Sequence, residues 1–535
     1  MTGYAHVQIP AASETVSWVS SGSFSAIAGP NSIIPLTTWS NEAFNLEDFG
    51  SVAPGNYTFD FSSQEYTTTS GSSSLSLTSV NHLLAGVDSL INVDYQITAL
   101  DADGILSVTA KEVSTGKENK IKIANIGKDQ KINSAYYLLN LKKFKIPVYS
   151  KYGGIDTINN KILYVSGESE FFLLEKTNDD ENKYEFNSIE LKKINNNKDK
   201  FIKKNEPRIG KDAEEYFGVK DILIEEFDAY NSKILLVSSL NYIENEDCYN
   251  ISVYLSEIIN EKNLEISDWN KIFSSESCLS IDLTKNPRFA AASAGGRISK
   301  LNENNILLSI GDFYADGVHG PVLSQDLSND YGKIIKINIT DKSHEIFSFG
   351  HRNPQGLYID QNRNIFSTEH GPLGGDEINL IYENNNYGWP YATYGTNFKS
   401  YDAYYDKILD KSKSKREWPI DKTNNTHKNY TKPLFSWGNQ FGASNLIIYE
   451  KNYFEKWNKN LIVSSLAKKQ LTRMVYDYEN KSIIYIENIP IGKRIRDIIS
   501  LDSGVIVLLT DRGVNIEDKP EIILISKSDE YIEEN

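Results

Sequence analysis

Short runs of apolar, largely β-branched residues recur along the chain, and each is followed within a few residues by Gly, Ser-Leu or Thr-Asp. Six runs start 44 to 96 residues apart: Ile162–Val165, Ile234–Val237, Ile306–Ile310, Ile365–Thr368, Leu461–Val463 and Val505–Leu508. Nearly continuous apolar runs are typical of strands buried on both faces, and each interval is long enough for a four-stranded sheet. The pattern predicts a six-bladed β-propeller whose innermost strands line the axis.

The first part of the chain has a different pattern. Its alternating runs, Tyr57–Phe61, Leu75–Leu77 and Ile91–Ile97, are separated by Gly and Pro and have the period of half-buried strands. Residues 1–110 contain ten acidic side chains and no Lys or Arg, whereas the remainder is rich in Lys, Asn and Ile. We therefore predict a small β-sandwich-like domain over residues 1–128 and the propeller over residues 129–535.

An all-β fold is favoured over a parallel α/β fold, which ranks second. An α/β fold needs amphipathic helices between its strands, and the intervening segments show little sustained helical periodicity; residues 251–266 are an example.

Composition limits the partners of this chain. With 535 residues, 40% hydrophobic and 24% charged, it has ample material for a core, and its formal net charge of −16 repels nucleic acid and anionic lipid. No stretch offers about twenty apolar residues for a membrane span. No basic residue precedes Lys111, so we expect no secretory leader.

The two cysteines, Cys248 and Cys278, are too few for a disulfide scaffold, and whether they pair stays open.

Three blocks of sequence carry the candidate chemistry. They are Gly350–Leu357, Ser367–Leu380 and Asn386–Pro390. In this order and spacing they resemble the soluble quinoprotein glucose dehydrogenase and aldose sugar dehydrogenase family, also called glucose/sorbosone dehydrogenases. The resemblance extends more weakly over residues 135–525 and implies a six-bladed propeller that uses calcium and pyrroloquinoline quinone (PQQ).

The resemblance implies two calcium sites. Gly371 and Pro372 correspond to ligands of the calcium beneath the quinone, and Asp376, Glu377 and Tyr387 to ligands of a second, structural calcium. Calcium prefers irregular shells of oxygen atoms, which a Gly-rich turn with nearby carboxylates can supply. The preferences of turn residues explain the same sequence without any ion.

The resemblance also implies a quinone clamp. Arg494 and Arg496 lie two apart in a predicted strand, so their side chains share a face and suit a ligand with several carboxylates. Asn353 corresponds to an amide that contacts the cofactor. A family lysine aligns with Ala467, although a shift of one residue lets Lys468 serve instead. On a solvated edge strand the two arginines would need no ligand.

The expected general base is absent. Sugar oxidation requires a proton acceptor. The resemblance implies a histidine two residues before Gly-Gly-Arg for this role, and here Ser293 occupies that position. An unassisted serine hydroxyl does not accept a proton at neutral pH. Of the seven histidines, His319 is the best substitute, although exposed loop histidines are common, and we interpret His351 and His370 as structural.

The sequence thus favours a propeller that has kept the scaffold and lost the chemistry. We expect its upper face to recognise a carbohydrate or other surface ligand, and residues 1–128 to attach it to a larger assembly such as a bacteriophage tail or fibre. Its location would then be particle-associated or extracellular after assembly, and otherwise cytoplasmic. The alternatives are an active calcium- and PQQ-dependent aldose sugar dehydrogenase and a purely structural head whose face binds nothing.

Overall fold

The computed structural model describes the following parts of the chain, together with eight short strands before them: residues 130–148, 152–177, 180–209, 216–280, 290–317, 321–372, 374–395, 427–511 and 520–528. The chain divides into two compact units, residues 1–130 and 131–535. No helix in these parts is long and apolar enough to cross a membrane.

The first unit contains β-strands, described by their backbone alone. They are Val16–Ser17, Ser23–Phe24, Tyr57–Phe61, Glu65–Tyr66, Ser74–Leu84, Leu90–Thr98, Leu106–Glu112 and Glu118–Ile123. Six of them form one antiparallel sheet, and Val16–Ser17 pairs separately with Glu65–Tyr66. The packing of two sheets that defines a sandwich lies outside the described residues, so the sandwich stays a prediction.

The second unit is the predicted six-bladed β-propeller. The strands of each blade are given from the inside outwards. Blade 1 consists of Gly153–Ile158, Lys161–Ser166, Phe171–Thr177 and Asp180–Ile189, and blade 2 of Val219–Glu225, Ile234–Ile243, Cys248–Asn260 and Glu265–Ile266. Blade 3 consists of Gly295–Lys300, Asn305–Ile310, Lys333–Asn338 and His344–Phe349. In blade 2, Asn270–Ser274 and Leu279–Ser280 also pair with Cys248–Asn260. A helix, Lys198–Ile209, lies between blades 1 and 2 in the chain.

Blades 4 and 5 repeat the four-stranded plan, and blade 6 closes the ring by combining both ends of the unit. Blade 4 consists of Pro354–Ile359, Ile365–Glu369, Asp376–Ile381 and Phe435–Trp437, and blade 5 of Ala443–Tyr449, Asn460–Ser465, Gln470–Asp477 and Ser482–Pro490. Blade 6 consists of Ile495–Ser500, Ile506–Thr510, Glu521–Lys527, Leu138–Lys145 and Gln130–Asn133. The first strand of each blade is its inner strand, and the six inner strands are neighbours around the axis.

The six apolar runs correct one detail of the prediction. Each run lies in the second strand of a different blade, and the inner strands are the ones that precede them. Second strands are covered by the adjacent blades on both faces, so nearly all their positions are buried and their central residues are apolar. Inner strands border the axis and carry the polar residues, which is why the pattern of apolar residues did not identify them.

Inner strands hold the ring together by bonding to one another. In three successive blades an Asp accepts a hydrogen bond from a backbone N–H of the next inner strand: Asp497 from Ile155 (3.3 Å), Asp156 from Ile224 (2.6 Å) and Asp221 from Ile298 (2.8 Å). Hydroxyl groups of second strands add bonds to the next blade, since Ser309 donates to the carbonyl of Pro354 and Thr368 to that of Ser444. The Ser and Thr residues near the ends of the runs therefore connect blades.

Arg297 links opposite sides of this ring. Its Nη1 lies 2.6 Å from Asp221 Oδ1 and 2.9 Å from Asp497 Oδ2, and its Nε donates to the carbonyl of Gln355 at 3.2 Å. Asn445 Nδ2 donates to the other oxygen of Asp497 at 2.7 Å. All these charged groups are buried. Blades 2, 3, 4, 5 and 6 thus meet at one ion network on the axis.

The two cysteines form a disulfide, with their Cα atoms 5.6 Å apart. It joins the third strand of blade 2 to the residue before Leu279–Ser280. This settles the pairing that the sequence left open, and it accounts for the cluster of Glu246, Cys248 and Cys278 without a metal ion.

We expect Arg297→Met to destabilise the propeller by about 3–5 kcal/mol, because it leaves Asp221 and Asp497 buried without their cation. Urea denaturation followed by circular dichroism measures this change. The control is Arg363→Met, in an exposed turn, for which we expect at most about 0.5 kcal/mol. Equal midpoints for the two variants would show that the network is not a determinant of stability.

Candidate functional site

The candidate residues gather at one end of the propeller because of strand direction. Inner and second strands are antiparallel, so the start of every inner strand lies beside the end of the second strand in its own blade. We call this end the upper face. Asn353 and Arg494 immediately precede inner strands, and Ser293 lies just before one. Gly371 and Lys468 shortly follow second strands.

Hydrogen bonds connect several of these residues into one network. Arg496 Nη1 donates to Gln355 Oε1 at 3.0 Å, and Gln355 Nε2 donates to Asn353 Oδ1 at 2.8 Å. Asn353 Nδ2 lies 3.4 Å from His370 Nδ1. The structure therefore connects the predicted clamp residues Asn353 and Arg496 through Gln355. The sequence analysis did not name Gln355 as a site residue, although its place in the Arg-Asn-Pro-Gln block could have indicated it.

The two clamp arginines share one carboxylate. Asp511 Oδ2 lies 2.5 Å from Arg496 Nη2 and 3.6 Å from Arg494 Nη2, and Arg494 Nη1 donates to the carbonyl of Leu466 at 3.3 Å. Among the described residues, the buried Nε of each arginine finds no acceptor. Asp511 follows the last apolar run, in the Thr-Asp pair, but the sequence alone assigned it no role. Asp511 Oδ1 likewise finds no donor among the described residues, so this place has both donors and an acceptor to offer a ligand.

Ser293 is part of a buried polar group. It ends the short 3₁₀ helix Ala290–Ser293, is 1% exposed, and its Oγ donates to Asp312 Oδ1 at 2.9 Å. Trp389 Nε1 donates to the other oxygen of Asp312 at 2.7 Å. Burial raises the pKa of Asp312 to about 6, an effect that Arg352 partly offsets. The hydroxyl at the expected base position is thus a donor to a carboxylate, and Trp389 is a core residue.

Two histidines of the family blocks have different surroundings. His351 is fully buried, lies 2.9 Å from Ser348 Oγ and 3.0 Å from Glu369 Oε2, and stacks on Tyr387. His370 belongs instead to the Asn353 network, and burial lowers its pKa to about 4, so it is neutral at pH 7. The structural interpretation thus describes His351 better than His370. His319 lies outside the described residues.

The turn at Gly371 and Pro372 is shaped by Asp376. One oxygen of Asp376 accepts the backbone N–H of Gly371 at 2.8 Å, and the other accepts the N–H groups of Phe441 and Gly442 at 2.7 Å each. A Cβ on Gly371 would lie 2.1 Å from the carbonyl oxygen of Gly374, so the turn requires glycine there. Asp376 is therefore committed to the backbone.

Glu377 belongs to a separate cluster of buried polar groups. Its oxygens lie 3.4 Å from Asn379 Nδ2 and 3.9 Å from His427 Nε2. Burial, and then the neighbouring Glu369 carboxylate, raise the pKa of Glu377. Asn379 Oδ1 and His427 Nδ1 have no hydrogen-bond partner among the residues described. These groups can supply several ligand atoms to a hard cation.

Tyr387 and Lys468, two further predicted site residues, lie outside the hydrogen-bond network of Arg496, Gln355 and Asn353. The hydroxyl of Tyr387 donates to the carbonyl of Leu380 at 2.6 Å and accepts the N–H of Tyr382 at 2.9 Å, so only its backbone carbonyl is available to an ion. Lys468 is exposed on the upper face, and its N–H donates to Ser465 Oγ at 2.9 Å. The roles of all these site residues stay predictions.

Comparisons with known proteins agree with this architecture. The family model described as glucose/sorbosone dehydrogenase matches residues 204–517. The aldose sugar dehydrogenase YliI of Escherichia coli is 28% identical over 36% of this chain and 51% of its own length. The quinoprotein glucose dehydrogenase B of Acinetobacter calcoaceticus is 29% identical over 37% of this chain and 52% of its own. The chain spans about half the length of these curated relatives.

Solved structures show the same fold. A glucose dehydrogenase crystal structure superposes with a TM-score of 0.55 at 20% identity and covers 72% of this chain and 99% of its own. The apo form of the Escherichia coli soluble aldose sugar dehydrogenase gives 0.54 at 18% identity, covering 73% and 100%. Since the family model matches more than half of the residues, the chain belongs to the glucose/sorbosone dehydrogenase family.

Proposed function

We propose that the upper face binds a carbohydrate without oxidising it. The observation that carries this proposal is at Ser293, where a hydroxyl that donates to Asp312 stands in place of the expected histidine. A general base must accept the proton of the sugar hydroxyl, and a buried serine that already donates its own proton does not do so. The network of Arg496, Gln355 and Asn353 remains in place to bind a ligand.

The residues present fit the cofactors of the family. The unpaired Nε atoms of Arg494 and Arg496 suit the carboxylates of PQQ, and Asn353 would be the third contact. The carbonyls of Gly371 and Pro372 accept no hydrogen bond from the described residues, so they are free for calcium. When bound, the quinone supplies a two-electron acceptor.

A second candidate is an active calcium- and PQQ-dependent aldose sugar dehydrogenase. The observation in its favour is His370, an imidazole that burial keeps neutral and that belongs to the same network as Arg496. Because the Asn353 amide donates to Nδ1, the neutral ring carries its proton on Nε2, and Nδ1 is the atom that can accept a further proton once the Asn353 contact is given up. This candidate requires His370, or His319 as the sequence suggested, to reach the sugar hydroxyl.

We further propose that residues 1–128 attach the propeller to a larger assembly such as a virion. The support is compositional: this segment has no Lys or Arg before residue 111 and lies outside the matched family region. The protein would then be particle-associated. A purely structural head remains the third function class.

We expect calcium to stabilise the propeller through Glu377. Because burial raises the pKa of Glu377, folding without a cation favours its protonated form, and stability should fall as the pH rises above the ordinary glutamate value near 4.5. In a chelating buffer, Glu377→Gln should therefore reduce the loss of thermal stability between pH 5 and 8.

Calcium should raise the melting temperature of the wild type at pH 8 and have a smaller effect on Glu377→Gln. Differential scanning calorimetry measures both. The control is Glu345→Gln, which removes an exposed carboxylate of blade 3. Equal calcium stabilisation of the wild type and Glu377→Gln would contradict a cation site at Glu377.

We expect the full-length protein to be retained on specific glycans of a glycan array through the upper face. Arg496→Ala should reduce retention about tenfold or more, because it removes a charge-assisted donor and disturbs Gln355. Arg363→Ala, in an exposed turn at the other end of blade 4, should have no effect. Silence across the array would favour the structural head over recognition.

A further inference from the structure

The outer strand of blade 5 exposes a row of large apolar side chains. In Ser482–Pro490, the side chains of Ile484, Tyr485 and Ile486 are 64%, 47% and 38% exposed. Seven large apolar residues are exposed in the described part of the chain, and these three are the ones that follow each other in sequence. Single exposed apolar residues are ordinary, whereas a contiguous group indicates a contact with another molecule.

Two further exposed tyrosines enlarge this group. On one side, the hydroxyl of Tyr382 lies 3.1 Å from the Nζ of Lys481, the residue just before the strand. On the other side, Arg473 Cζ lies 5.1 Å from the centre of the Tyr136 ring and 5.2 Å from that of Tyr485. Five of the seven exposed residues therefore belong to one surface. We call it the rim patch; it consists of Tyr136, Tyr382, Ile484, Tyr485 and Ile486.

Arg473 holds the aromatic part of the rim patch in place. Its side chain is buried, its Nε lies 2.6 Å from Glu487 Oε2, and its Nη1 donates to Asn460 Oδ1 at 2.5 Å. A guanidinium close to two tyrosine rings attracts both of them. Tyrosines that are already held lose little conformational freedom on binding, and Tyr and Arg are enriched among the residues that contribute most at interfaces.

The strand beneath the rim patch also has an open edge. Ser482–Pro490 pairs with Gln470–Asp477 on one side, and none of the described strands pairs with its other side. The outer strands of the other blades are short or contain charged residues, which discourages pairing with another chain. The first five residues of Ser482–Pro490 are uncharged, and four of them are Ile or Tyr. This edge therefore favours the addition of a further strand.

The charges around the rim patch indicate which surface can cover it. Residues 481–490 contain one Lys at the start and one Glu near the end, and Arg473 neutralises that Glu. A strongly charged partner would find few charges to pair with, so the matching surface is apolar and nearly neutral, as the rim patch itself is. Antiparallel pairing of this strand with its own copy also places the Lys481 end of each strand beside the Glu487 end of the other, whereas parallel pairing would join like ends.

We propose that the rim patch is the contact of a two-fold symmetric dimer, in which the outer strands Ser482–Pro490 of two copies pair antiparallel. A two-fold contact uses the same surface on both copies, so each apolar row covers the other and the open edge of blade 5 is closed. The inference goes beyond the proposed function and does not depend on the ligand of the upper face.

Sedimentation velocity of the full-length protein tests the contact. The wild type should form dimers, and Ile484→Lys should weaken this association about tenfold or more, because it introduces two like charges close to the two-fold axis. The matched control is Ile259→Lys, which replaces a 68% exposed isoleucine in the third strand of blade 2 and should associate like the wild type. Both variants change exposed side chains, so both should fold.

Cysteine cross-linking tests whether this strand is the one in contact. The two native cysteines are bonded to each other, so an introduced cysteine is the free thiol of the chain. Opposite residues of an antiparallel pair have Cα atoms about 4.5–5.5 Å apart, which is within the range of a disulfide. At least one of Ile484→Cys, Tyr485→Cys and Ile486→Cys should therefore form a covalent dimer under mild oxidation, and Ile259→Cys should not.

Two results would overturn the inference. The first is that Ile484→Lys associates as strongly as the wild type, including the case in which neither associates. The second is that none of the three cysteine variants cross-links more than Ile259→Cys. In either case the rim patch would serve a different protein. Because neither measurement involves a sugar or the quinone, these results leave the proposed function standing, and silence of the glycan array leaves the dimer standing.

Discussion

The buried pairing of Arg297 with Asp221 and Asp497 is the constraint on which the upper face depends. A propeller has no strand that runs across its axis, so the relative position of its blades depends on contacts between inner strands. Here the guanidinium of blade 3 is bonded to carboxylates of blades 2 and 6 and to a carbonyl of blade 4. The residues that start these inner strands, including Ser293, Asn353 and Arg494, are placed relative to one another by the same network.

Hydrogen bonds hold several of the candidate residues of the upper face in position. Asp376 uses both carboxylate oxygens to hold the Gly371 turn, and Gln355 joins the clamp arginine to Asn353. The base position, in contrast, holds a hydroxyl directed at Asp312. A binding surface can persist without a proton acceptor, because holding a ligand and removing its proton depend on different side chains.

Much of the fold was predictable from the sequence, because six apolar runs mark six buried second strands. The inner strands were not, since their Asp, Arg and Asn residues look like loop or surface positions until the ring is closed. The motif blocks predicted Asn353 and Arg496 as parts of one site, and Gln355 connects them in the structure. Asp511 lies in the same blade as Arg496, 15 residues later, and had no local signal. The backbone contacts of Asp376 were also hidden, because a carboxylate that accepts three backbone N–H groups has the same sequence pattern as a metal ligand.

The most direct test of the account is whether the protein reduces its own bound quinone. The wild type is loaded with calcium and PQQ, freed of oxygen, and mixed with excess glucose or other aldoses while the absorbance of the quinone is recorded. The account predicts that PQQ binds and its oxidised spectrum persists. Rapid conversion to the reduced spectrum on addition of sugar would contradict it and show that another group serves as the base.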